Sequence, residues 1–83
     1  MYYKIMNKNF VKVGKTWRVL DKLNEWAYAS NEIMFWNAMQ NIYTFRNKAG
    51  YTNVKLTFSG NMATITFKEG DINRKEQYIF VEQ

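Results

Sequence analysis

Apolar residues recur at helical spacing along residues 30–50, SNEIMFWNAMQNIYTFRNKAG. Ile33, Trp36, Met39 and Tyr43 form one stripe at 3.6 residues per turn, and Phe35, Ala38, Ile42 and Phe45 form a second beside it. A helix resting on a core needs one stripe about 100° wide. Two stripes predict a helix over 31–48 that is either buried on two sides or buried on one, with the other kept for a partner. Ser30 or Asn31 supplies the N-cap, Gly50 the C′ residue, and Arg46 and Lys48 the cations that suit the negative end of the helix dipole.

Beyond this helix the period changes to two. Val54, Leu56 and Phe58 alternate with Asn53, Lys55 and Thr57, and Ala63, Ile65 and Phe67 alternate with Met62, Thr64, Thr66 and Lys68. A two-residue turn at Gly60-Asn61 pairs Phe58 with Ala63, Leu56 with Ile65 and Val54 with Phe67. These six paired apolar residues then fall on one face. A loop over 69–75 leads to a third strand over 77–82.

The N-terminal half is less regular. Residues 2–13 read as extended chain, with Tyr3, Ile5, Val11 and Val13 apolar at odd positions and Asn7-Lys8-Asn9 as an internal turn that would face Ile5 with Val11. Residues 14–29 fit two patterns. From Trp17 onward a helix places Val19, Leu20, Leu23, Trp26 and Ala27 on one stripe. Alternatively, a hairpin across Gly14-Lys15 pairs Phe10–Val13 with Thr16–Val19, and Asp21 caps a shorter helix. Lys15 and Arg18 oppose the dipole at the start of the longer helix, yet its stripe is the more complete pattern and is the one expected. The chain therefore predicts a single α+β domain over 1–83: a small antiparallel sheet, built from an N-terminal strand or hairpin and a C-terminal three-strand meander, with one or two helices packed on one face.

Composition narrows the chemistry. The 83 residues contain no cysteine and no histidine, which removes disulfides, zinc–thiolate sites and imidazole catalysis together. Aromatic residues make up 18% of the chain, so a small core can still bury much apolar area. No apolar run approaches the roughly 20 residues of a membrane span, and the N-terminus lacks a signal-type hydrophobic region. A soluble, cytoplasmic protein is expected. Enrichment in Asn, Lys and Ile is common in AT-rich genomes, those of many phages included.

Motifs for catalysis or metal binding fail on inspection. Gly14-Lys15-Thr16 resembles the end of a phosphate-binding loop, but Asn9 stands where that loop needs its first glycine. Asp71 to Glu82 has the length of a calcium loop, yet Lys75 and Glu76 occupy positions that require an oxygen ligand and a glycine. Asp21 and Glu25 could share a helix face, but Lys22 and Asn24 mark that face as solvated. The strand–helix–strand order is not that of the RNA-recognition motif, and its aromatic signature is absent. A non-enzymatic binding module with no cofactor and no metal is expected.

Charge suggests what it binds. The net charge is +5, and Lys4, Lys8, Lys12, Lys15, Arg18 and Lys22 face only Asp21 in the first 22 residues. Even positions of the first strand carry Tyr2, Lys4, Phe10 and Lys12, and the middle hairpin adds Lys55 and Lys68 to the face away from the helices. With Ile79 and Val81 turned inward, Tyr78 and Phe80 join that face. Lys4, Lys8, Phe10, Lys12, Lys15, Arg18, Lys55, Lys68, Tyr78 and Phe80 are thus the candidate residues for single-stranded nucleic acid, bound by stacking on rings and by lysines that track phosphates. Phe35, Trp36, Tyr43 and Phe45 are the candidates for docking a partner protein, which such a module would block or adapt. A nucleic-acid-processing or nucleoprotein machine would be gripped through both surfaces, and self-association is a further use of the apolar helix.

Overall fold

In the computed structural model, which describes residues 3–82, five strands form one antiparallel sheet and a single helix lies across it. The elements run β1 (Tyr3–Val13), β2 (Thr16–Ala29), α1 (Glu32–Lys48), β3 (Thr52–Ser59), β4 (Met62–Glu69) and β5 (Ile72–Glu82). The strand order is β2-β1-β5-β4-β3, so the first and last strands pair at the centre. Tyr2 lies outside the described residues.

The predicted helix forms with the expected caps. Asn31 is the N-cap, its Oδ1 accepting the Met34 N–H at 2.9 Å, and Gly50 follows the helix at φ +89°. Phe35 and Met39 are buried against the sheet, with Ala38 and Ile42 packed beside them. The β3–β4 hairpin also forms in the predicted register, with Phe58 opposite Ala63 and Leu56 opposite Ile65. Gly60 opens its turn at φ +61°, where a residue with a Cβ is strained. The ladder slips between Thr52 and Lys55, where Asn53 takes φ +54°, so the regular pairing ends short of Val54 and Phe67.

Three expectations give way. Residues 16–29 are a strand, not a helix: the tight turn at Gly14-Lys15 folds them back on β1, pairing Val13 with Thr16. β2 spans 14 residues against 11 in β1, and three register shifts absorb the surplus. Residues 7–9 do not turn, because β5 pairs with β1 continuously from Tyr3 to Val11. The Asn9 amide instead donates to Asn7 Oδ1 at 3.4 Å and to Asp21 Oδ2 at 3.2 Å, which binds Asp21 into the sheet rather than to a helix end. Finally, the predicted loop over 69–75 shrinks to a tight turn at Gly70-Asp71, and β5 starts at Ile72.

The core lies between α1 and the sheet. Ile5, Ala63, Ile65, Phe67, Tyr78 and Phe80 face the helix and are buried. Phe80 stacks between Tyr3 at 4.4 Å and Phe35 at 5.0 Å, and Trp26 meets Tyr78 edge-on at 5.1 Å. Rings fill the gap because each removes about 150–250 Å² from water, more than Ile79 or Val81 would. Glu76 is buried among them, held by Arg46 from the last turn of α1.

Candidate functional site

Alternation along the strands decides which side chains the helix leaves uncovered. In β1 the even positions Lys4, Met6, Lys8, Phe10 and Lys12 point away from α1, and the register aligns Val81, Ile79, Gln77 and Lys75 of β5 with the first four. Thr66 continues the row from Lys75 into β4, and Lys55 continues it into β3. Lys68 lies on the same face, opposite Asn73. Among the described residues the open face thus gathers Lys4, Lys8, Lys12, Lys55, Lys68 and Lys75.

Glu25, opposite Met6, is the carboxylate that this register sets among them. It is already engaged: the Tyr28 hydroxyl donates to it, and Lys4 Nζ lies 3.4 Å away. The hydrogen bond from Tyr28, and then Lys4, hold its carboxyl below the usual range, while the same bond raises the Tyr28 hydroxyl. Among the described residues, the remaining lysines of the face have no carboxylate within ion-pair distance.

At the far end the face becomes aromatic. Lys75 Nζ sits 4.5 Å from the centroid of Phe10 and 4.6 Å from that of Trp17, held between the two rings. Lys12 lies 5.8 Å from Trp17 on the neighbouring position. Next to this cluster is a cleft of about 460 Å³ lined by Lys12, Trp17, Lys55, Thr66, Lys68 and Asn73, with Asn53, Phe67 and Arg74. Cations, a ring and short hydrogen-bonding side chains around one hollow can take a phosphate and an adjoining base.

The structure sorts the predicted residues. Lys4, Lys8, Phe10, Lys12, Lys55 and Lys68 share the open face. Lys15 is in the turn at the tip of the β1–β2 hairpin. Arg18, opposite Val11, projects from the other face. Tyr78 and Phe80 are corrected outright: both are buried under α1, because the core claims their rings and leaves Ile79 and Val81 outside. Trp17 and Lys75 join the site without having been predicted. Carrying the Gly14-Lys15 hairpin through would have placed Trp17 opposite Lys12. Reading Glu76, Tyr78 and Phe80 as the inward set of β5 would have turned Lys75 outward.

The predicted protein-docking patch comes apart. Phe35 is core and Tyr43 is half-buried, so neither is a free anchor. Trp36 and Phe45 are exposed, but nine residues at 100° each put them on opposite flanks of the helix. Trp36 borders β3 near Phe58, and Phe45 borders Trp26 of β2.

No helix among the described residues is long and apolar enough to cross a membrane. In comparisons with protein-family models, with curated proteins and with solved structures, nothing matched this chain.

Proposed function

We propose that the protein is a non-enzymatic module that binds single-stranded nucleic acid on its open sheet face. The observation that carries this reading is the sorting of charge: six lysines from four strands share one uncovered surface, and the carboxylate placed among them is already paired. Such a field attracts a polyanion, and the rings of Phe10 and Trp17 beside the cleft offer π-faces to unstacked bases. The test is the binding of a labelled single-stranded oligonucleotide across a salt series. Log affinity should fall with log salt by about 0.7 per phosphate neutralised. Replacing Lys12, Lys55 and Lys68 by Ala should weaken binding at low salt more than tenfold and flatten the slope. No binding at low salt, or binding indifferent to the triple change, would end the proposal.

A partner protein is the second reading, favoured by one observation: Phe45, 63% exposed, stands beside Trp26 over a groove of about 410 Å³. A module that blocks or adapts a nucleoprotein machine would use that groove together with the lysines. Capture of a partner that survives nuclease treatment and is lost in Phe45→Ser would support it. Capture abolished by nuclease alone would return the weight to nucleic acid.

A further inference from the structure

The two edges of the sheet differ. β2 is guarded: three register shifts kink it, and Arg18, Asp21, Lys22 and Glu25 stud it, devices that discourage pairing with another strand. β3 has no such guard beyond its start. From Lys55 to Ser59 its ladder with β4 is unbroken, and Lys55 is its single charge. Ser59 and Met62 bracket a two-residue turn, so they exchange hydrogen bonds with each other, and bonding direction alternates from there. Lys55, Thr57 and Ser59 direct their backbone groups at β4. Leu56 and Phe58 direct theirs out of the sheet, and Val54, which follows the slip at Asn53, directs its C=O there, because the Lys55 N–H of the same trans peptide points at β4.

One flank of α1 runs beside that edge. Ile33 is 70% exposed, Trp36 51% and Phe58 42%, and together they border a cleft of about 410 Å³. A second hollow, along Tyr43 and the strand from Val54 to Phe58, shares Phe58 with it. Free backbone groups and exposed apolar side chains therefore lie side by side.

We infer that a second copy of the chain docks here, β3 against β3, antiparallel about a two-fold axis at Leu56. That axis uses the outward N–H and C=O of Leu56 in both copies and joins the Phe58 N–H of each to the Val54 C=O of the other. It sets Leu56 against its own equivalent and Val54 against Phe58 of the other copy, apolar on apolar, on the helix side. On the open side it sets Lys55 against Thr57, so no like charges oppose. An axis at Lys55 would bring the two lysines together, and an axis at Thr57 would waste the outward C=O of Val54. The register is self-complementary, and this singles out another copy over a foreign strand. Because the axis is perpendicular to the sheet, the basic faces of the two copies join on one side. The dimer holds whether or not that face takes nucleic acid.

The test is sedimentation velocity on the full chain from about 1 μM to 1 mM. A monomer–dimer equilibrium is expected. Thr57→Lys, at an exposed position, places like charges opposite each other twice and should raise the dissociation constant about tenfold. Thr57→Glu places two carboxylates opposite Lys55 and should lower it several-fold; loss of the fold cannot mimic that sign. Val19→Lys, on the β2 edge, should change nothing. A monomer at every concentration, a dimer weakened by Thr57→Glu, or one dissolved by Val19→Lys would each overturn the inference.

Discussion

Arg46 grips Glu76 through two parallel hydrogen bonds, Nε to Oε1 at 3.0 Å and Nη2 to Oε2 at 2.7 Å. The two residues lie 30 positions apart, one on the last turn of α1 and the other in the middle of β5, and Glu76 is buried. The Glu76 hydrogen bond raises the guanidinium pKa further still, so the arginine stays charged at any working pH. The ring of Phe67 lies 5.7 Å from the same guanidinium. This pair fixes where the helix ends over the sheet.

Removing one partner strands the other charge. Arg46→Met or Glu76→Leu alone should destabilise the fold by about 2–4 kcal/mol, read as a lower urea midpoint. The double replacement should recover much of that loss, since two apolar side chains leave no orphaned charge. Equal losses in single and double variants would show that the pair matters through packing alone.

Alkaline stability should report on Tyr78. Burial pushes its hydroxyl up to about 12, with Glu76 adding to the rise, from an ordinary value near 10. The folded chain therefore holds this proton more tightly than the unfolded chain. Its contribution is complete below pH 10 and drains away as pH climbs from 10 through 12, by about 3 kcal/mol. Tyr78→Phe keeps the edge-on contact with Trp26 and should flatten the pH profile over that window. An unchanged alkaline decline in the variant would assign it to other groups.

Two neighbours on the helix should behave oppositely. Phe35 packs between Phe80 and Phe58, so Phe35→Ala should cost about 3–5 kcal/mol and unfold a domain of this size. Trp36, half-exposed on the flank, should accept Ser within about 1 kcal/mol as judged by the thermal midpoint. A collapse of Trp36→Ser would place that ring in the core.

The helix and the β3–β4 hairpin were legible because their determinants are local. Asn31 and Gly50 mark the helix ends, and the alternation around Gly60-Asn61 allows one register that sets Leu56, Phe58, Ala63 and Ile65 together on the helix face. The lysines of β1, β3 and β4 were legible for the same reason, since period two assigns a face. Other features depended on residues distant in sequence. Residues 16–29 carry a helical stripe yet became a strand, because β1 offers a ladder along their whole length and bulges absorb the mismatch. Alternation in β5 left two equal choices of inner face. Tertiary structure made that choice, as only Glu76, Tyr78 and Phe80 could meet Arg46, Trp26 and Phe35 across the core. That choice turned Lys75 outward between Phe10 and Trp17, where a basic face acquired its rings.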